Sequence, residues 1–195
     1  MFEPGSDFEY SSYDVNLMSV VLQEAGEAAF ELLMEAWVTR PLALDSPMPD
    51  ALHEDRVSFY ELDGEHARLS PSADLSHKLA GGGFMARPEE LVMVGAAWLD
   101  PSFISDETRV QLANANHGGV SKGSMAWLVV IPEERMAIAL AINTRVLPFG
   151  DWAEIQGDLA KTCSPFAKKQ AFACHHPRSC IASRSACAPR PAINH

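Results

Sequence analysis

Apolar residues recur with helical spacing in the first forty residues of the chain. They are Val15, Met18, Val21, Leu22, Ala25, Ala29, Leu32, Leu33 and Ala36. This spacing is close to the 3.6-residue period of an α-helix. Gly26 interrupts the run and Pro41 ends it, with Asp14 at its start as the predicted N-cap. The pattern therefore predicts two helices that meet near Gly26.

Residues 124 to 143 show a different pattern, because apolar side chains occupy both faces of two short runs. The segment reads "SMAWLVVIPEERMAIALAIN", with a Pro-Glu-Glu-Arg turn between the runs. Strands that are apolar on both faces are typical of a covered sheet rather than of a solvated edge. A further short strand is predicted at 57–62, where "VSFYEL" precedes the turn residues "DGE".

A helix is also predicted at 88–99, in the segment "PEELVMVGAAWL". Pro88 suits the first turn of a helix, and two glutamates follow it at the positive end of the helix dipole. Its N-cap is predicted to be poor, since Ala86 and Arg87 offer no side-chain acceptor.

Charge divides the chain into two parts. Residues 1–160 contain 26 acidic and nine basic residues, a net charge of −17, whereas residues 161–195 contain six basic residues and no acid. An acidic body excludes nucleic acid as the main partner, because binding to phosphates needs a basic surface. We expect one domain at 1–160, ending in a helix at 150–160.

The segment 161–195 lacks periodicity and contains all four cysteines of the chain. This composition predicts a poorly ordered tail. An alternative is a metal site formed by Cys174, His175, His176 and Cys180, but their spacing matches no common zinc module. The sequence therefore predicts no metal.

Membrane and export signals are not found in the sequence. No apolar run is long enough to cross a bilayer, and the first ten residues lack the basic and apolar regions of a secretory signal. For the chain as given, we expect no membrane partner and a cytoplasmic location.

Three separated stretches, in one order, resemble serine beta-lactamase-like hydrolases, which include class C beta-lactamases, penicillin-binding-protein-like peptidases and esterases. "FEPGSDFEYSSYD", its following helix and "PLAL" resemble the family's F-x-P-G, Y-S-N and P-L-G-M pattern. "SHKLAGGGFMARPEEL" resembles its A-G-G…S-T-x-E-D-L helix, and "NHGGVSKGSMAWLVV" resembles its third motif and the strand after it. The resemblance covers about residues 2 to 143.

The resemblance implies an α+β fold, with helices flanking an antiparallel sheet beside a helical region. It also implies hydrolysis of a small-molecule ester, or of a beta-lactam amide, through an acyl-serine intermediate and without a cofactor. In the family, a Ser of an S-x-x-K motif attacks the carbonyl, and the Lys and a Tyr share the proton transfers. The third motif orients the substrate.

The resemblance also assigns roles to particular residues. Tyr10 takes the place of the catalytic Tyr, and Ser12 stands where the family has Asn. A hydroxyl can donate one hydrogen bond but lacks the two-sided reach of an amide. His117 begins an H-x-G third motif, in which Gly118 and Gly119 let the substrate approach the strand backbone.

Less specific interpretations of these residues stay open. Tyr10 could be an aromatic that anchors a turn, and His117 could be a loop residue beside two glycines. A shift of one residue would instead put Asn116 at the first position of the third motif. The chain has a G-x-S-x-G match at residues 119–123, but it precedes a predicted strand instead of a helix. A Ser-His-Asp hydrolase is therefore disfavoured, because its nucleophile elbow needs a strand–turn–helix context.

The nucleophile motif is missing from this chain. No Ser stands three residues before any of the five lysines, so there is no S-x-x-K. Residues 1–160 are therefore predicted to be part of a catalytic domain, and the alternative is an inactive relative or binding module with the same fold. Without strands from elsewhere in such a domain, the 124–143 pair would expose an apolar edge. This predicts that the chain associates with another copy, covers the edge with its tail, or is only marginally stable.

Overall fold

A computed structural model of the chain describes residues 3, 5–7, 9–45, 48–49, 56–71, 73–112, 116–145, 157–159 and 161–163. Helices and small, mainly antiparallel sheets alternate along these residues, so the predicted α+β class is confirmed.

Two helices form the N-terminal part, as the periodicity predicts. Helix α1 spans Ser12–Gly26, and α2 spans Phe30–Met34 and continues into a π-helical turn at Glu35–Thr39. Glu27 ends α1 in the left-handed conformation, with φ of 49°. The predicted break near Gly26 is therefore confirmed.

The start of α1 differs from the prediction. Ser11, not Asp14, is the N-cap, and its hydroxyl accepts a hydrogen bond from the backbone N–H of Tyr13 at 3.2 Å. Asp14 lies in the first turn, where its charge favours the positive end of the helix dipole. No residue of α1 is buried by the part of the chain that the structure describes.

The main sheet has three antiparallel strands. Its strands are β5 (His117–Ser121), β6 (Ser124–Ile131) and β7 (Met136–Ile142), in the order β5-β6-β7. A 3₁₀ turn at Pro132–Glu134 joins β6 to β7, so the predicted strand pair around "PEER" is confirmed. The strand β6 is central in this sheet, which is why its residues are apolar on both faces.

Two smaller sheets complete the described strands. β2 (Tyr60–Asp63) and β3 (His66–Leu69) form an antiparallel hairpin, and β8 (Thr144–Arg145) pairs in parallel with β2. β1 (Met48–Pro49) pairs with β4 (Phe84–Met85). The strand predicted at 57–62 is thus the first strand of a hairpin, which begins at residue 60.

Helix α3 (Pro88–Trp98) packs on β6 and β7, and α4 (Asp106–Leu112) follows it. The helix predicted at 88–99 is confirmed. Its predicted weak start is compensated by Glu90, whose carboxylate accepts a hydrogen bond from the backbone N–H of Arg87 at 3.3 Å. Glu90 therefore satisfies the N–H of the N-cap residue, which is the half of a capping box that a glutamate in the first turn supplies.

The packed part of the chain extends beyond residue 160. Residues 157–159 and 161–163 are helical, and Cys163 is buried against Val129 and Ile138. The helix predicted at 150–160 is confirmed at 157–159, while 150–156 and 160 lie outside the described residues. The tail from residue 164 onward, with its candidate metal ligands, also lies outside them.

Candidate functional site

Tyr10 and His117 lie side by side. Their ring centroids are 6.4 Å apart and the ring planes are tilted by 47°. Tyr10 immediately precedes the cap of α1, and His117 is the first residue of β5. The N-terminal helix and the main sheet therefore meet at this pair, which joins two stretches that the sequence analysis had linked only by resemblance.

Ser12 is the third member of this cluster. Its hydroxyl oxygen lies 3.5 Å from the hydroxyl oxygen of Tyr10, at the outer limit of a hydrogen bond. Ser12 is the first residue of α1. Tyr10 is 60% exposed and Ser12 is also exposed, so both side chains are accessible to solvent or to a ligand.

Asn116 and His117 have different roles in the sheet. The side-chain oxygen of Asn116 accepts a hydrogen bond from the backbone N–H of Val130 at 2.6 Å, so it extends the strand ladder beyond β5. His117 pairs in register with Leu128 and contacts Tyr10. Of the two candidates for the first position of the third motif, His117 is the one beside Tyr10.

The glycines after His117 leave the surface of β5 uncovered. Gly118 and Gly119 pair with Trp127 and Ala126. A Cβ atom built on Gly119 would meet no atom within 4 Å, so packing does not require glycine at this position. The bare backbone beside His117 is the kind of surface on which a substrate can approach a strand closely.

Asn16 connects the cluster to the triple glycine at residues 81–83, a contact that the sequence did not predict. Its side-chain oxygen accepts a hydrogen bond from the backbone N–H of Gly81 at 3.0 Å, and its side-chain nitrogen donates to the carbonyl of Ser12 at 3.1 Å. One sequence feature could have indicated this contact: Asn16 is an amide that lies one helical turn after Ser12 within a mainly apolar stretch.

Residues 1–160 contain two lysines, and neither belongs to an S-x-x-K motif. Lys78 and Lys122 instead line one cleft, together with Val120 and Ser121. Since β5 runs from His117 to Ser121, this cleft lies at the opposite end of that strand, about 13 Å from His117.

No cluster of three or more His, Cys, Asp or Glu side chains suited to a metal ion occurs in the part of the chain described above. None of the described helices is long and apolar enough to cross a membrane.

Comparisons with protein families and with curated proteins found no match. Solved structures do match. The octameric penicillin-binding protein homologue from Pyrococcus abyssi has a TM-score of 0.67 at 17% identity, covering 83% of this chain and 44% of that protein. A D-stereospecific amidohydrolase from Streptomyces sp. has a TM-score of 0.62 at 16% identity, covering 73% and 52%. EstCE1, a hydrolase with promiscuous acyltransferase activity, has a TM-score of 0.50 at 14% identity, covering 73% and 53%.

These likenesses define the class of fold. The chain has the fold of serine beta-lactamase-like and penicillin-binding-protein-like proteins, as its sequence motifs predicted. Its structural neighbours are hydrolases or homologues of penicillin-binding proteins, and the chain spans about half of their length. Identities below 20% establish the fold alone, so the activity of this chain is a matter for proposal.

Proposed function

We propose that this chain contains the Tyr-His part of the active site of a serine hydrolase that acts on carboxylic esters. The observation that supports the proposal is the contact between Tyr10 and His117, with ring centroids 6.4 Å apart beside the open backbone of Gly119. Beta-lactam amides are the second substrate class. The named activities of the neighbours, amide hydrolysis and acyl transfer, use the same acyl chemistry.

In this proposal each residue has a definite task. Tyr10 moves a proton to or from the oxygen of the nucleophile and the leaving group. Ser12 donates a hydrogen bond to Tyr10 or to the substrate, and His117 orients the substrate carbonyl. A tyrosine is a weak base near neutral pH, so proton transfer by such a group is favoured by a cation beside it.

The nucleophile is the part that this sequence does not identify. In the proposed reaction a serine oxygen attacks the ester carbonyl, the alcohol leaves with a proton, and water then hydrolyses the acyl-serine. No S-x-x-K motif occurs in the 195 residues. A serine outside that motif, or on a further segment of a longer protein, must therefore act.

Turnover and covalent labelling test the proposal together. We expect hydrolysis of p-nitrophenyl butyrate, weaker hydrolysis of nitrocefin, and labelling of one serine by a fluorophosphonate, with mass spectrometry identifying the residue. Tyr10→Phe should lower turnover by roughly 100-fold or more, because proton transfer is lost. Tyr13→Phe is the matched control, since Tyr13 is a similarly exposed neighbour in α1. If neither substrate is hydrolysed at high protein concentration, the proposed hydrolase function of this chain is wrong.

A non-catalytic binding module is the second candidate function. It is favoured by the missing S-x-x-K motif and by the exposed position of Tyr10. It predicts no fluorophosphonate labelling, but binding of an ester or beta-lactam that shifts the imidazole resonances of His117 in an NMR titration. Unchanged resonances at saturating ligand would eliminate this candidate.

Self-association through the main sheet is also proposed. Among the described strands, β7 pairs only with β6, so its other edge has no described partner. Apolar strand edges favour pairing with another chain. We expect a dimer or larger assembly in light scattering coupled to size-exclusion chromatography, and a stable monomer would contradict it.

A further inference from the structure

A cleft of about 330 Å³ lies at the end of β5 that is remote from His117. It is lined by Lys78 from the 3₁₀ turn Ser76–Lys78, by Lys122 from the turn between β5 and β6, and by Arg145 from β8. A second cleft of about 230 Å³ adjoins it, shares Lys122, and adds Ser70 to the wall. We call the two together the cationic cleft.

The cationic cleft holds four basic side chains, because Arg56 lines its second part in addition to Lys78, Lys122 and Arg145. Within the described residues, none of Lys78, Lys122 and Arg145 forms an ion pair, and no Asp or Glu lines either part of the cleft. The register neighbour of Arg145 across β2 is Glu61, but no ion pair joins them. In a body of net charge −17, these three cations form a local positive field that attracts anions.

The nearest acid in sequence is already engaged elsewhere. Asp74 is exposed, and its carboxylate accepts a hydrogen bond from the backbone N–H of Ser76 at 2.9 Å. Asp74 is therefore bonded to the backbone of its own turn, and no ion pair joins it to Lys78 within the described residues.

Two buried polar atoms of the cationic cleft lack a hydrogen-bond partner within the described part of the chain. They are Nε of Arg145 and the hydroxyl oxygen of Ser70, and Ser70 is only 8% exposed. Buried donors are almost always paired in folded proteins, because an unpaired one is costly. A bound ligand with an acceptor oxygen would satisfy such donors.

The backbone holds the walls of the cationic cleft in place. The N–H of Ser70 donates to the carbonyl of Phe59 at 2.7 Å, and the N–H of Tyr60 donates to the carbonyl of Asn143 at 2.9 Å, two residues before Arg145. Gly123 has φ of +69°, and a Cβ there would lie 2.7 Å from Cβ of Ser70. Only glycine lets the Lys122 turn approach Ser70 this closely.

We propose that the cationic cleft binds the carboxylate of a small organic acid with a short alkyl chain. Guanidinium and ammonium groups both bind carboxylates strongly, and an arginine can do so with two parallel bonds. Leu75 and Val120 add an apolar wall that an alkyl chain can contact, whereas inorganic phosphate would gain nothing from it. The site is separate from Tyr10 and His117, and the proposal does not depend on ester hydrolysis.

Binding of hexanoate to the full chain tests the proposal without any turnover. NMR titration or calorimetry should give a dissociation constant of roughly millimolar order, since the cleft is open and the ligand small. Acetate should bind at least about tenfold more weakly, because it lacks the alkyl chain. Hexanol, which has the chain without the charge, should not bind measurably.

Two variants locate the site. Lys122→Gln and Arg145→Gln should each weaken hexanoate binding about tenfold. Arg68→Gln is the matched control, because Arg68 lies in the same small sheet as Arg145 but is 70% exposed and pairs with Asp63. Lys122 is in an exposed turn, so Lys122→Gln remains a valid test if Arg145→Gln does not fold.

Protection from lysine acylation is an independent readout. Hexanoate should slow the modification of Lys78 and Lys122 severalfold but leave Lys161 unchanged. No saturable hexanoate binding, or equal affinity in wild type and in Lys122→Gln, would overturn the proposed site. Tighter binding of inorganic phosphate than of hexanoate would overturn the assignment to a carboxylate.

Discussion

Glu90 accepts a hydrogen bond from the backbone N–H of Asp45 at 2.8 Å and so ties helix α3 to the chain segment that follows the first two helices. The same carboxylate accepts bonds from the backbone N–H and the guanidinium of Arg87. Hydrogen bonding to Glu90 raises the pKa of Arg87, with a further contribution from the charge of Glu90. Glu90 is 3% exposed, so it is a buried acid with its acceptor sites filled.

Glu90→Ala should destabilise the fold by about 2–3 kcal/mol, because the N–H of Asp45 loses the acceptor supplied by the buried Glu90 carboxylate and the start of α3 loses its cap. Urea unfolding measures this change. Glu89→Ala is the control, since Glu89 is 64% exposed and contacts only the guanidinium of Arg87 at the surface. Equal stability of the two variants would show that Glu90 does not hold the segment.

Gly95 lies at a close contact between α3 and the main sheet. A Cβ built on it would lie 2.8 Å from Cβ of Ala137 and 3.0 Å from Cδ1 of Leu128. Gly95→Ala should therefore destabilise the protein by about 1–2 kcal/mol, despite the better helix propensity of alanine, because the Cβ of Ala137 is attached directly to the backbone and cannot move away.

Ala96→Gly in the same helix estimates the difference in helix propensity between alanine and glycine, and it should lower the free energy of unfolding by about 1 kcal/mol. The double variant Gly95→Ala with Ala137→Gly should recover part of the lost stability. An additive double-mutant cycle would contradict the predicted contact between the two positions.

Asp100 should make stability depend on acid pH. Hydrogen bonds from the hydroxyl and the backbone N–H of Ser102, at 2.7 and 2.8 Å, lower the pKa of Asp100 below its ordinary value of 3.8. A lowered pKa means that the stabilisation is fully present above the unfolded pKa and is lost as the pH falls through the folded one. Wild type should therefore exceed Asp100→Asn in stability at pH 7, and the difference should vanish well below pH 3.8.

An NMR titration of the Asp100 carboxyl in Ser102→Ala checks the cause. Loss of the hydroxyl should raise the pKa of Asp100 toward its ordinary value. An unchanged titration curve would mean that Ser102 is not what lowers it.

The elements that could be predicted are those whose pattern is local. Helical periodicity with a break at Gly26 predicted α1 and α2, and two-sided apolar runs predicted β6 and β7. The parallel pairing of β8 with β2 could not be predicted, because it joins Thr144 to Tyr60 through tertiary contacts that leave no pattern in a two-residue strand. The cap of α1 was misplaced because three residues near its start, Ser11, Ser12 and Asp14, can all serve as caps.

The candidate site likewise has a part that the sequence could predict and a part that depends on tertiary contacts. Resemblance placed Tyr10 and His117 in one site, and the structure brings their rings into contact, while their catalytic roles stay predictions. The cationic cleft could not be predicted, since Lys78 and Lys122 lie far apart in the sequence and neither belongs to a recognisable motif. Side chains from distant turns form a cleft only after the β2 hairpin and the turn at Gly123 have packed together.

The hydrogen bond from the N–H of Gly81 to Asn16 allows a test of whether α1 holds the triple glycine at residues 81–83 in place. Asn16→Ala should remove the acceptor of the Gly81 N–H, cost about 1 kcal/mol, and speed the hydrogen exchange of that amide by roughly tenfold. Asn16→Asp keeps an acceptor for Gly81 but removes the bond from Nδ2 to the carbonyl of Ser12. Exchange at Gly81 should therefore stay slow in Asn16→Asp. If the Gly81 amide is equally protected in wild type and in Asn16→Ala, the segment is held by its own turn, where the N–H of Gly81 also lies 3.0 Å from the carbonyl of Lys78.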